Sequence, residues 1–194
     1  MTPLNAATLN PLERVTVTLP AHLKHIVLTG FMGAGKSTVG RLLAARTGWT
    51  FLDLDSHLEA RAGATIPELF ERHGEARFRR LESTALASAL AAPMTILALG
   101  GGVPEALTNR LLIEQTPGTF TIFLDAPFPA LFDRCMLQDI ARPLLHDPIA
   151  AEERFARRHP LYARLAQLAI DTADLTPEDT VEAILSSMNQ PRRP

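Results

Sequence analysis

The stretch His25 to Arg41, HIVLTGFMGAGKSTVGR, constrains this chain most. A short apolar run ends at Gly30, a glycine-rich loop follows, and helix-forming residues begin at Lys36. Gly30, Gly35, Lys36 and Ser37 fit G-x-x-x-x-G-K-[ST], a loop whose backbone N–H groups close around phosphate oxygens. Side chains in place of those glycines would block that approach, and the helix N-terminus adds partial positive charge. Lys36 can reach β- and γ-phosphates, and the Ser37 hydroxyl can ligate Mg²⁺. A bare glycine turn with a solvated lysine is the bland alternative. The buried-type strand before the loop and the helix after it argue for the phosphate site.

The rest of the chain repeats this alternation. Periodicity predicts strands at Ile26–Thr29, Thr50–Leu54, Met94–Leu99, Thr119–Leu124 and Leu168–Asp171. It predicts helices at Lys36–Thr47, Ser56–Ala62, Ile66–His73, Glu75–Ala92, Glu105–Ile113, Phe128–Cys135, Ala150–Ala166 and Pro177–Met188. Met136–Pro148 holds Pro143 and Pro148 without a clear period and reads as a loop. Strands separated by helices imply βαβ crossovers, hence an α/β fold with a mostly parallel sheet covered on both faces. Ligands then collect beyond the C-terminal strand ends. Gly30–Ser37, Asp53, Asp55 and Gly100–Gly102 should therefore converge.

A length of 194 residues, 46% of them apolar and 21% charged, fits one soluble domain with a full core. The leader 1–23 contains Pro3, Pro11 and Pro20 and reads as loosely ordered, with a short extended piece at Val15–Leu19. The domain should span 24–188, with 189–194 as a tail. A net charge of −2 gives no basic field for nucleic acid. Cys135 is the only cysteine, so no internal disulfide forms. No apolar run is long enough to span a membrane, and Asn5, Asn10, Glu13 and Arg14 interrupt any signal-like region. The expectation is a cytoplasmic protein and a monomer, with small-molecule partners rather than nucleic acid or membrane.

Several side chains carry chemistry. Strand alternation in FLDLD puts Asp53 and Asp55 on one face. Beside a nucleotide-bound Mg²⁺, one carboxylate could hold the metal and the other an attacking hydroxyl. Asp55 could instead cap the following helix. In GEARFRRLE, Glu75 and Glu82 lie four before and three after Arg79, on one helix face. They could preset its guanidinium for an anionic substrate, or form an exposed ion-pair ladder. Clustering of Arg72, Arg77, Arg79 and Arg80 in an acidic chain favours the former. The triple glycine Gly100–Gly102 permits close backbone approach to a small ligand, and Arg142 in the proline-bearing loop could close over phosphates. The six histidines show no metal-ligand spacing, so no zinc site is expected.

Together these segments resemble the shikimate kinase family from about His25 to Met188. The motifs are GFMGAGKSTVG, the D-x-D at Asp53 and Asp55, and G-E-x-x-F-R-x-x-E from Gly74. The triple glycine, RPLL from Arg142 and R-x-P-L-Y from Arg158 complete the set. That resemblance implies a P-loop three-layer α/β/α sandwich with a five-stranded parallel sheet in the order 2-3-1-4-5. It implies transfer of the γ-phosphoryl of ATP, with Mg²⁺, to the 3-hydroxyl of shikimate in aromatic amino-acid biosynthesis. By motif match, Gly33, Ala34, Gly35, Lys36, Ser37, Thr38, Arg134 and Arg142 would contact nucleotide, and Ser37 and Asp53 would serve the metal. Asp55 would bind the shikimate hydroxyls, with a base role open to it. Arg79 and Arg158 would clamp the carboxylate, and Gly101 and Gly102 would line the pocket. Lys36, Asp55 and Arg142 would be the catalytic set, with the lid at about 136–148. Two stretches depart from the pattern: the loop CMLQDIA is less basic, and acidic Asp174 stands where many relatives carry a basic residue. A related gluconate kinase is the nearest alternative, and a ligand-sensing module is another. The D-x-D, F-R-x-x-E and triple-glycine set argues against the first, and a leader too short for a DNA-binding domain against the second.

Overall fold

The computed structural model describes residues 17–137 and 147–189. Five strands form one parallel sheet: β1 His25–Thr29, β2 Thr50–Asp53, β3 Thr95–Ala98, β4 Thr119–Asp125 and β5 Leu168–Asp171. Their order across the sheet is β2-β3-β1-β4-β5, as the family resemblance implies. Seven helices connect or follow them among the described residues. These are α1 Lys36–Thr47, α2 Leu54–Ala62, α3 Ile66–Ala89, α4 Leu107–Gln115, α5 Phe128–Leu137, α6 Pro148–Leu165 and α7 Pro177–Asn189.

The central strand β1 is buried along its whole length and splits its side chains between two cores. Ile26 and Leu28 pack with Leu43 of α1, Tyr162 of α6, and Val181, Ile184 and Leu185 of α7. Val27 faces the other way, onto Leu58 of α2, Phe78 and Leu86 of α3, and Ile113 of α4. A strand buried on both faces needs apolar residues at every position, which is why HIVLT reads as a run and not an alternation.

Local chemistry sets the boundaries. Gly48 ends α1 in a left-handed conformation (φ 73), and its N–H donates to the Ala44 carbonyl. Thr65 and Glu68 cap α3 reciprocally, each side chain taking a backbone N–H at the other end of the first turn. Gly74, at φ 68 and ψ 172, breaks α3 into two arms, as the separate helices expected at Ile66–His73 and from Glu75 require.

Three expected boundaries are corrected. The second strand stops at Asp53, because that carboxylate accepts the N–H groups of Asp55 and Ser56 and starts α2 at Leu54. The expected helix Glu105–Ile113 is instead a 3₁₀ turn, Val103–Glu105, then an extended Ala106, then α4. Asp147 accepts the N–H of Ala150 and begins α6 at Pro148, two residues before the expected start. In the leader, the Val17 N–H donates to the Arg46 carbonyl (2.8 Å), and Leu19 is buried in the core with no strand around it. Residues 1–16 of the leader, Val15 among them, lie outside the described residues, as do 190–194 of the tail and 138–146 of the expected lid. No helix among the described residues is long and apolar enough to cross a membrane.

Candidate active site

The loop between β1 and α1 supplies the first half of the site. Gly30 (φ 143) passes so close to β4 that an added Cβ would lie 2.5 Å from the Leu124 carbonyl oxygen. Gly33 (φ 79) would meet the Leu131 carbonyl of α5 at 2.4 Å. Phe31, between them, is buried with its ring edge-on to Phe155 of α6 and Phe128 of α5. The loop is thus wedged against three elements. Lys36 Nζ donates to the carbonyls of Gly30 (2.9 Å) and Phe31 (2.8 Å), which holds the ammonium across the loop mouth. Ala34 is buried, Thr38 is exposed on the first turn of α1, and no acidic residue stands in that turn to neutralise the helix terminus.

Ser37 Oγ donates to Asp53 Oδ2 at 2.7 Å, joining the loop to the end of β2. The other oxygen of Asp53 is occupied by the α2 cap. Both are oxygen donors of the kind a hard divalent cation takes. Asp55 does not continue the strand. It projects from the first turn of α2, and its Oδ1 would lie 2.5 Å from a Cβ added at Gly100.

The three glycines after β3 face different sets of side chains, with Arg158 shared by the last two. Gly100 faces Asp55. Gly101 faces the Tyr162 hydroxyl (3.5 Å from an added Cβ), Arg158 Nη1 (3.7 Å) and the Gly30 carbonyl (4.0 Å). Gly102 faces both guanidiniums, with Arg79 Nη1 at 2.7 Å and Arg158 Nη2 at 3.3 Å. Arg79 and Arg158, from α3 and α6, therefore converge over one backbone position.

Arg79 is held from behind. Its Nη1 donates to both oxygens of Glu82 (3.2 and 3.0 Å), and its Nη2 lies 3.5 Å from Glu75. Both partners are those the helical spacing predicts. Burial opposes the charge on Arg79, but Glu82, Glu105 and Glu75 outweigh it and raise its pKa. Glu82 is the more buried partner, with 3% of its side chain exposed against 27% for Arg79. Desolvation therefore falls chiefly on that carboxylate and pushes its pKa up, against the pull of Arg79.

Two residues that sequence reasoning gave no role complete the cluster. The Tyr162 hydroxyl donates to the Gly101 carbonyl at 2.6 Å, and burial raises its pKa, so it stays a donor. Glu105 accepts from Arg158 Nη2 at 2.8 Å and lies 3.8 Å from Arg79. Burial works against its charge, yet Arg158, Arg157 and Arg79 prevail and hold its carboxyl below the usual range. Arg134 sits away from this cluster. Its guanidinium donates to Thr172 Oγ1 (3.2 Å), to the Thr172 carbonyl and to the Ala173 carbonyl (2.9 Å), tying α5 to the segment after β5. Arg142 lies outside the described residues.

Comparison with known proteins identifies a family. The family model for shikimate kinase matches residues 32–189. The shikimate kinase of Geobacter sulfurreducens is 40% identical over 178 residues, which cover 90% of this chain and 96% of that protein. The crystal structure of the Bacteroides thetaiotaomicron shikimate kinase superposes with a TM-score of 0.79 at 30% identity, covering 86% of this chain and 99% of that one. The Acinetobacter baumannii shikimate kinase, solved in complex with shikimate, gives 0.75 at 35% identity, covering 87% and 96%. This chain belongs to the shikimate kinase family.

Proposed function

We propose that this protein transfers the γ-phosphoryl of ATP to the 3-hydroxyl of shikimate, releasing shikimate 3-phosphate and ADP. The observation that supports it most is the meeting of Arg79 and Arg158 over Gly102, beside Asp55 and across from the phosphate loop. Two guanidiniums on one small space suit a planar carboxylate, which can take paired N–H donors. A carboxylate on Asp55 suits hydroxyls. A substrate held by both ends would present one hydroxyl toward the loop.

In this reading Gly33, Ala34, Gly35, Lys36, Ser37 and Thr38 cradle the phosphates of ATP, with Arg134 as a further nucleotide contact and Arg142 closing from the lid. Ser37 and Asp53 are the side chains that would serve a magnesium ion, with phosphate oxygens and water completing its shell. The ion supplies charge neutralisation on the phosphates. Phosphoryl transfer leaves the protein little covalent chemistry, so positioning and electrostatics provide most of the rate. Lys36 leaves its carbonyl partners for the β- and γ-oxygens. Asp55 aims the hydroxyl and takes its proton as the bond to phosphorus forms. Arg79, braced by Glu82, and Arg158 fix the ring by its carboxylate, and Gly101 and Gly102 give it room. A monomer in the cytoplasm is part of the same reading.

A coupled assay of ADP release with shikimate, and with gluconate as comparison, tests the assignment. Release should depend on shikimate and stay at background with gluconate. In the same assay Arg79→Ala should raise the shikimate KM roughly 10- to 100-fold, the loss of charge-assisted hydrogen bonds, with the ATP KM unmoved. An unchanged shikimate KM and kcat in that variant would show the clamp assignment to be wrong.

A further inference from the structure

We infer that Glu105 is a tethered carboxylate seated in the receiving position of the Arg79–Arg158 pair, and that a substrate carboxylate must displace it to bind. The inference rests on the shikimate reading only for the identity of the incoming acid.

Glu82 and Glu105 both touch the arginines but differ in kind. Glu82 is almost wholly buried and takes Arg79 Nη1 with both oxygens, from the same helix. It is a fixed brace. Glu105 comes from the other side, out of the 3₁₀ turn that follows the triple glycine, and 27% of its side chain is exposed. Its backbone is pinned: its N–H donates to the Gly102 carbonyl (3.0 Å), and its own carbonyl accepts from Arg110 Nη1 (3.1 Å). Only the side chain is free to turn. One oxygen, Oε2, reaches Arg158 Nη2 at 2.8 Å and Arg79 Nη2 at 3.8 Å. That oxygen bridges the two guanidiniums, which is what a ligand carboxylate held by both would do.

A second carboxylate brought over Gly102 would face Glu105 across the same N–H donors. Two anions so close repel, and the arginines already hold Glu105 charged, so protonation offers no relief at neutral pH. Rotation does. The other oxygen, Oε1, lies 3.4 Å from Nε of Arg157, whose side chain is 61% exposed. Arg157 thus offers Glu105 a partner on the solvent side, to which it can swing without losing its charge compensation. The pair Glu105–Arg157 sets how much of the arginines' attraction is left for the substrate. It weakens every acid that binds there, and most of all acids too bulky for Glu105 to move past.

Glu105→Gln keeps the size and removes the charge. Expected is a shikimate KM lower by about fivefold, matched by tighter shikimate in a direct titration, with the ATP KM unmoved. Arg157→Ala, which removes the alternative partner, should raise the shikimate KM about twofold in the wild-type background and leave it unmoved in Glu105→Gln. A shikimate KM that rises or stays constant in Glu105→Gln overturns the inference, because a residue that merely orients the arginines would be missed rather than relieved. Should the wild-type chain neither bind nor phosphorylate shikimate, the substrate reading fails, and phenylglyoxal labelling of Arg158, mapped by peptide mass, decides the occupancy alone. Faster labelling in Glu105→Gln then upholds it, and equal labelling ends it.

Discussion

Gly30, Gly33 and Gly35 in the phosphate loop have φ angles of 143, 79 and 83, whereas Gly102, facing the arginines, has an ordinary φ of −92. Gly100 and Gly101 are likewise absent from the positive-φ glycines. The neighbours differ too. Gly30 and Gly33 press on backbone carbonyls of β4 and α5, which cannot move without the fold. Gly100 and Gly102 press on the tips of Asp55, Arg79 and Arg158, which can. The nucleotide half is therefore built from backbone shape, and the acceptor half from space kept clear between side chains. Damage to the first should cost stability and activity together. Damage to the second should cost substrate binding alone.

Lys36→Met breaks the nucleotide half without touching its shape. Lys36 Nζ donates to the carbonyls of Gly30 and Phe31, so the loop loses donors but no glycine is strained. Turnover should fall on the order of a thousandfold or more, since a charge aimed at the transferring phosphoryl is gone. The thermal midpoint, followed by circular dichroism, should stay close to wild type. A large drop in the midpoint would mean that Lys36 is part of the backbone architecture after all.

Gly30→Ala makes the complementary change. The new methyl meets the Leu124 carbonyl at 2.5 Å, in a backbone conformation that L side chains rarely adopt. Stability should fall by roughly 2–3 kcal/mol, visible in urea denaturation, with ATP and shikimate turnover lost together. If stability held and only nucleotide affinity fell, the loop would be softer than its wedging between β4, α5 and α6 implies.

The same difference explains what could be read in advance. The phosphate loop is contiguous, so a handful of neighbouring letters specify it, and strand–helix alternation was enough to give the sheet its parallel class. Arg79 with Glu75 and Glu82 was legible because helical spacing brings them together. Strand alternation misplaces Asp55 because it carries the strand two residues past its end: the Asp53 side chain competes for backbone N–H groups and turns the chain into a helix. Glu105 had no local pattern at all. Its contacts with Arg157 and Arg158 span 52 and 53 residues, and the Tyr162–Gly101 bond spans 61, so only the closed fold reveals them.

Gly102→Ala probes the acceptor half with the smallest change available. At φ −92 an alanine is unstrained, so the backbone gives no reason for lost stability. Its methyl would stand 2.7 Å from Arg79 Nη1 and 3.3 Å from Arg158 Nη2, inside the space where both guanidiniums point. The Arg79 tip can give way, but its bonds to both oxygens of buried Glu82 limit it to a small shift out of alignment. The methyl is therefore left in the path of a ligand carboxylate. The shikimate KM should rise about tenfold, the cost of misaligning one charge-assisted contact, while the ATP KM and the urea midpoint stay at wild-type values. A fall in stability comparable to that of Gly30→Ala would erase the distinction between the two kinds of glycine. An unmoved shikimate KM would place the substrate carboxylate somewhere other than over Gly102.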